Sequence, residues 1–215
     1  MKKLFVIVST VFISNVANAN IIDFSGNICN GNAGACSDGR EINQSYADIA
    51  GQLDVVYDRN IGQADAGTDA SRLQFWDDYS NLNGVAWGDS GSASEIFLKP
   101  LDGSLVTLNS VDFGSYLDFD RTSQFTVLDG STNASLFSSG TFSVSALAVS
   151  FTDLNLSSLN GLRLQWGPDA FNVGIDNIDY TLGGGTPSEV PIPAAAWLFG
   201  SGIMGLFGMR RSALV

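Results

Sequence analysis

The sequence contains no histidine, and among its 215 residues it has only two cysteines and ten lysines and arginines. Without an imidazole, this chain cannot form a Ser-His-Asp or Cys-His catalytic group, a histidine-ligated zinc or iron site, or a histidine proton switch. The basic residues are outnumbered by 22 acidic ones, so the formal net charge is −12. The chain therefore offers no cationic surface to neutralise phosphates, which argues against nucleic acid as a partner.

Between its two ends the sequence also lacks any long stretch with the 3.6-residue period of a helix. Short runs rich in β-branched and aromatic residues take its place, at 53–57, 95–98, 105–108, 125–128, 141–144, 147–151, 162–166 and 178–182. Turn dipeptides separate many of them: Asp102-Gly103, Asp129-Gly130, Ser139-Gly140, Asn160-Gly161 and Gly167-Pro168. The pattern predicts an all-β fold, an antiparallel β-sandwich of the jelly-roll type in which two sheets bury their inward faces.

The N-terminal segment 1–19 has the features of a secretory signal peptide. Two lysines follow the initial methionine, 4–13 is an apolar run, and the small residues Ala17 and Ala19 end the segment. The translocation machinery and signal peptidase recognise these features, and the run is too short to span a bilayer comfortably. The sequence therefore predicts cleavage before Asn20. The alternative is a hydrophobic N-terminal strand or helix.

Three features follow one another near the C-terminus. They are a Val-Pro-Ile-Pro motif with Val190, Pro191 and Pro193, an uncharged apolar run at 194–209, and the basic pair Arg210 and Arg211. As a helix the run would rise about 24 Å, near the lower limit for crossing a hydrocarbon core. The basic pair would hold the tail on the cytoplasmic side. One interpretation is a plain C-terminal membrane anchor.

The order of these features in 190–211 resembles the C-terminal sorting signal of bacterial PEP-CTERM proteins. In that family a proline-bearing motif, a transmembrane helix and a basic cluster are recognised and cut by a membrane protease, exosortase. The resemblance implies an exported protein that passes through an inner-membrane intermediate to the cell surface or extracellular matrix, with exopolysaccharide and biofilm as its surroundings. Ile192 stands where the family's name-giving Glu would be, which leaves the type of exosortase open.

The segment between the two ends comprises one domain at 20–182 and a Gly-rich linker at 183–189. This length is sufficient for a domain with its own core. All 22 acidic residues but only six basic ones lie in 20–189, so the net charge of this exported part is −16. Most of the acids are Asp, which favours turns and caps over helix faces.

Cys29 and Cys36 lie in a loop rich in Gly and Asn. In an exported chain, the simplest interpretation of two such cysteines is a disulfide. Closing a loop this short is worth roughly 2.5 kcal/mol in the chain-entropy model. The disulfide would therefore order the loop without stabilising the whole fold.

In the segment 172–182 the apolar residues before and after Asp176 lie in opposite phase. This change predicts a β-bulge at Asp176 and Asn177, which either lies at a sheet edge without a ligand or redirects side chains at a site. The segment resembles the last strand of galactose-binding and other carbohydrate-binding jelly-roll domains. That resemblance implies a structural calcium ion, which oxygen ligands such as Asp176 and Asn177 would bind.

Trp76, Asp77 and Asp78 form the acidic cluster that most resembles a carbohydrate site. An aromatic face packs against a sugar ring, and carboxylates accept hydrogen bonds from its hydroxyl groups. An alternative interpretation makes Trp76, like Trp87, part of the core or an anchor for a loop. A carboxylate pair is also the one catalytic arrangement that this composition permits, as in glycoside hydrolysis.

These observations together predict a non-catalytic exported protein of the cell surface or extracellular matrix. Its expected partners are signal peptidase and exosortase during export, the membrane before processing, and exopolysaccharide afterwards. The alternative is a secreted carbohydrate-binding module or weak glycoside hydrolase that uses the same export route.

Overall fold

The computed structural model describes residues 18–29, 35–62, 65 and 67–183. All of them belong to the first of the two units into which the chain divides, Met1–Gly185, and none belongs to the second, Thr186–Val215. Most of the predicted signal peptide and the predicted sorting signal therefore lie outside the described residues. The latter comprises Val190, Pro191, Pro193, Arg210 and Arg211.

The described residues form twelve strands and one short 3₁₀ turn, Asp69–Ser71, with no α-helix. The strands are β1 (Asn18–Ile22), β2 (Leu53–Asp58), β3 (Gln74–Trp76), β4 (Val85–Trp87), β5 (Ser94–Pro100), β6 (Leu105–Ser115), β7 (Arg121–Asp129), β8 (Ser135–Val144), β9 (Val149–Phe151), β10 (Leu156–Ser158), β11 (Leu162–Gly167) and β12 (Val173–Gly183). Within these ranges no helix is long and apolar enough to cross a membrane.

The strands are arranged in two antiparallel sheets. The first has the order β10-β6-β12-β4-β3, with β1 paired to β12 and β9 paired to β6. The second has the order β2-β5-β11-β7-β8. Every pairing between these strands is antiparallel, so the prediction of an all-β fold built from antiparallel sheets is confirmed.

The two sheets pack face to face around one apolar core. Phe113 of β6 is fully buried, and its ring centroid lies 5.0 Å from that of Phe125 on β7 and 5.3 Å from that of Phe142 on β8. Leu164 and Trp166 of β11 are buried in the same core. Removal of these side chains from water is the main force that holds the sheets together.

One predicted turn is wrong. Ser139-Gly140 does not separate two strands but lies inside β8, where the register against β7 shifts. Gly140 has a φ of 63°, which a glycine adopts without a steric penalty, so the dipeptide forms a bulge and the strand continues. By contrast, Asn160-Gly161 does form the turn that the sequence predicted between β10 and β11.

Cys29 and Cys36 form a disulfide, as predicted. Cys29 is buried and belongs to the core, and its backbone pairs with that of Ile42 in an isolated bridge. The disulfide therefore fastens the loop that follows β1 to the body of the domain.

Strand β1 pairs with the end of β12, with Asn18 opposite Leu182 and Ile22 opposite Ile178. The expected cleavage before Asn20 would remove two residues of this strand and leave 20–22 in place. Ile22 is among these remaining residues and is buried in the core.

The Asp129 carboxylate joins the turn after β7 to the turn after β10. It accepts hydrogen bonds from the backbone and side chain of Thr132, at 2.9 and 2.8 Å, and from those of Ser131. Ser158 donates to its other oxygen at 2.6 Å, and the Asn160 amide donates to both oxygens. These donors, beginning with the Ser158 hydroxyl, hold the pKa of Asp129 well below its ordinary value.

Replacing this carboxylate should weaken the link between the two turns. We expect Asp129→Asn to lower the melting temperature at pH 7 by a few degrees. Because the folded-state pKa is depressed, the stabilisation is complete above about pH 4 and is lost as the pH falls further. The difference between wild type and variant should therefore narrow in acid, as thermal melts at pH 7 and pH 2 would show. A difference in melting temperature that stays the same at both pH values would contradict this account. The matched control is Asp153→Asn, which changes an aspartate at an exposed site.

Candidate functional site

The connection between β3 and β4 lies on the outer face of the first sheet, over a pair of glycines. Gly114 of β6 and Gly174 of β12 are opposite each other in the ladder. A Cβ atom on Gly114 would lie 2.5 Å from the backbone oxygen of Tyr79, and one on Gly174 would lie 2.7 Å from the Val85 side chain. The two glycines therefore leave the space in which Tyr79 packs against the sheet.

Tyr79 is fixed in this place by hydrogen bonds around it. Its hydroxyl donates to the backbone oxygen of Phe171 at 2.6 Å. The neighbouring Ser80 exchanges hydrogen bonds with Ser115, since the Ser80 N–H donates to the Ser115 oxygen and the Ser115 N–H donates to Ser80 Oγ at 2.7 Å. Burial raises the pKa of Tyr79 far above its ordinary value, so the phenol remains a neutral donor.

Around Tyr79 lies a group of aromatic rings that we call the aromatic cluster: Trp76, Tyr79, Trp87, Tyr116 and Phe171. The Tyr116 ring is 5.3 Å from Trp76, 5.3 Å from Tyr79 and 5.8 Å from Phe171, between ring centroids. Trp87 and Phe171 are 4.9 Å apart and edge to face. Tyr79 is buried, whereas the other four are half-buried and present part of each ring at the surface.

Acidic side chains lie beside the aromatic cluster. Asp77 and Asp78 follow Trp76 and are exposed, and the Asp77 N–H donates to Asp38 Oδ1 at 2.9 Å. Desolvation, followed by the negative charge of Asp38, raises the pKa of Asp77. A hydrogen-bond donor or a positive charge placed against these carboxylates would relieve this repulsion.

Two buried polar atoms near the aromatic cluster have no hydrogen-bond partner among the described residues. They are Nε1 of Trp87, which is a donor, and Oδ1 of Asp169, which is an acceptor. The other Asp169 oxygen accepts from the Asn172 side chain at 2.6 Å. Since buried polar atoms are nearly always hydrogen-bonded, each of these two has one hydrogen bond that the described protein groups do not supply.

The structure joins the predicted carbohydrate residues to others that sequence reasoning missed. Trp76, Asp77 and Asp78 are contiguous in sequence and were predicted together. Tyr116 and Phe171 lie far from them in the chain, at the end of β6 and just before β12. Their contact with Trp76 depends on how the strands are ordered, and no spacing in the sequence reports that order.

The predicted bulge in β12 is confirmed, because the register against β6 shifts between Asp176 and Asp179. Asn177 has a φ of 48°, and its side-chain nitrogen donates to Asp112 Oδ2 at 2.9 Å. Asp176 is 3% exposed, and its Oδ1 atom has no hydrogen-bond partner within the described part of the chain. Burial, and to a smaller extent the charges of Asp112 and Asp23, raise the pKa of Asp176 to about 8.

The two residues predicted to bind calcium thus have different surroundings. Asp176 is a buried carboxyl group that keeps its proton at neutral pH, and the Asn177 side chain donates a hydrogen bond to Asp112. The described ranges contain no group of three or more acidic or cysteine side chains placed to hold a metal ion. Calcium at Asp176 and Asn177 stays a prediction.

Comparisons with known proteins add no assignment. No family model matches the sequence, no curated protein matches it, and no solved structure matches the fold at a significant level.

Asp176 should make the protein less stable as the pH rises. The pKa of Asp176 in the folded state lies above its value in the unfolded chain, so between about pH 4 and pH 8 the folded protein binds one proton more than the unfolded chain does. The stability of the fold therefore decreases as the pH rises through this range. Asp176→Asn removes the titration. At pH 8.5 we expect the variant to unfold at a higher urea concentration than wild type. Its free energy of unfolding should exceed that of wild type by an amount on the order of a few kcal/mol, and this difference in free energy should be smaller at pH 4.

The measurement is urea unfolding of wild type, Asp176→Asn and the control Asp179→Asn, across this pH range. Asp179 lies on the same strand but is only half-buried and accepts a hydrogen bond from Asn109. Parallel pH profiles for wild type and Asp176→Asn would contradict a protonated Asp176.

Proposed function

We propose that the protein is exported, non-catalytic and located at the cell surface or in the extracellular matrix, and that exosortase removes its C-terminal sorting signal. The observation that carries the proposal is the order of parts in the sequence. A signal peptide at 1–19, a domain at 20–182 and a Gly-rich linker precede the Val190-Pro191 motif, the apolar run and Arg210-Arg211. Each part has a physical role in export, and their order resembles that of one known sorting route.

The described domain supports this proposal in two ways. Its disulfide between Cys29 and Cys36 suits an oxidising compartment outside the cytoplasm. Its excess of acidic side chains suits a solvated protein among other extracellular polymers, where net charge maintains solubility. As part of the same proposal, we assign the two antiparallel sheets to the jelly-roll, galactose-binding-like type, and 194–209 to a transmembrane helix present before processing.

Cleavage is tested at the mature C-terminus. We expect mass spectrometry to find a C-terminus that lacks Arg210 and Arg211 in cells with exosortase, and the intact tail in cells without it. The variant Pro191→Ala should retain the tail, whereas Pro187→Ala, in the linker, should be processed normally. An intact tail in both kinds of cell would exclude the sorting signal and leave a plain membrane anchor.

A second candidate function is carbohydrate binding at the aromatic cluster, and a specific observation favours it. Half-buried aromatic rings lie on the outer face of the first sheet, and the exposed carboxylates of Asp77 and Asp78 directly follow one of them, Trp76. Aromatic faces pack against the C–H groups of a sugar, and carboxylates accept its hydroxyl hydrogens. In an exported matrix protein, such a site would hold the domain to exopolysaccharide.

A glycan array with the exported protein tests this second function. We expect a specific signal that Trp76→Ala and Asp78→Ala reduce at least tenfold, which corresponds to about 1.4 kcal/mol each. Trp76→Phe should retain part of the binding because it keeps an aromatic ring. Asp153→Ala is the control for lost charge at an exposed position. Absence of binding to any glycan, or equal binding by all variants, would assign the aromatic cluster a structural role alone.

A further inference from the structure

The two edges of the second sheet differ in how their backbone is covered. At one edge, β2 is capped by side chains: Asp48 Oδ1 accepts from the Val55 N–H at 2.8 Å. The Gln44 side chain accepts from the Tyr57 N–H and donates to the Tyr57 oxygen, both at 3.1 Å. These contacts occupy the backbone groups that another strand would use, so β2 is protected against further pairing.

At the other edge, the side-chain contacts to the backbone of β8 come from serines of the strand itself: Ser135 donates to the Phe137 oxygen, Ser139 donates to the Gly140 oxygen, and the Gly140 N–H donates to Ser138 Oγ. β8 pairs with β7 on one side, and no described strand or loop pairs with its other side. Nearly all of its ten residues are exposed or half-buried, and only Val144 at its end is buried. A long edge strand with free backbone groups is a template for pairing with another chain.

The sequence of β8 also lacks the residues that usually prevent edge pairing. From Ser131 to Thr152 there is no charged residue and no proline. This is the longest uncharged stretch of the domain, whose exported part carries a net charge of −16. Since charged side chains and proline are the common means of blocking an edge, β8 lacks these means, and its own side chains add no charge repulsion between two copies that approach along it.

The core is also incompletely covered along β8. Phe137 and Phe142 point toward the core but remain half-buried, with ring centroids 5.8 Å from Phe125 and 5.3 Å from Phe113 respectively. Phe151 of β9, on the other sheet, is half-buried and lies 5.2 Å from Phe142. A strand added beside β8 would cover this side of the phenylalanine group and remove more apolar surface from water.

We propose that β8 pairs antiparallel with β8 of a second copy of this chain, across a two-fold axis between Ser139 and Gly140. This register places Phe137 of each copy opposite Phe142 of the other, so two cross-strand phenylalanine pairs form on the core side. It also places Ser138 opposite Thr141. The bulge at Gly140 lies on the axis and divides the pairing into two short segments. A two-fold contact of this kind closes as a dimer and unites the two second sheets.

Paired charges test both the contact and its register. In Ser138→Lys/Thr141→Lys, lysines of the two copies would stand directly opposite each other, and in Ser138→Glu/Thr141→Glu, glutamates would. The full exported chain is purified in each form and its mass is measured by light scattering over a range of concentrations. We expect wild type to shift from monomer to dimer as its concentration rises, and each charged variant to remain monomeric at the highest concentration used.

Mixing the lysine and glutamate variants should restore the dimer. In a mixed dimer, a lysine of one copy lies opposite a glutamate of the other at both 138–141 pairs, so the charges attract. The control Asn83→Lys/Ser90→Lys adds the same charge at exposed loop positions and should dimerise like wild type. Circular dichroism verifies that every variant is folded. A monomeric wild type at all concentrations would overturn the proposal, as would a dimer that the β8 charges leave unchanged or a mixture that stays monomeric.

Discussion

The domain depends on the contact between the inward faces of its two sheets, and β6 is central to that contact. Phe113 of β6 points inward and meets Phe125 and Phe142 of the second sheet. The next residue, Gly114, faces outward and leaves the space that Tyr79 fills. One strand therefore supports the core on one face and the aromatic cluster on the other, and a displacement of β6 would disturb both.

Acidic side chains serve three different purposes in this anionic domain. Asp129 collects hydrogen-bond donors from two turns and is held as a carboxylate. Asp77 lies beside Asp38 at the surface, where desolvation, followed by the negative charge of Asp38, raises its pKa. Asp176 is buried by the bulge in β12 and retains its proton. The same residue type thus fastens turns, lies at the surface beside the aromatic cluster, and fills a buried position as a neutral group, because each local environment sets its charge.

The sequence was sufficient to predict an all-β fold of antiparallel sheets, the bulge at Asp176 and the disulfide, because short β-branched and aromatic runs, the phase of apolar residues and the cysteine count are local signals. It misplaced a turn at Ser139-Gly140, where glycine permits a bulge as readily as a chain reversal. Trp76 was predicted as a site residue, but Tyr116 and Phe171 were not. Strands as short as β3 and β4 form only because they pair with neighbouring strands. The contacts of Trp76 with Tyr116 therefore could not be derived from the spacing of residues in the sequence.

The pairing of β1 with the end of β12 determines how the domain would be displayed. Asn18 lies opposite Leu182, so both ends of the described chain leave the sandwich side by side. Phe171 and the aromatic cluster lie at the opposite end of β12, about 33 Å away along an eleven-residue strand. The rings and carboxylates of the aromatic cluster region therefore lie at the pole of the domain that is remote from both ends of the described chain.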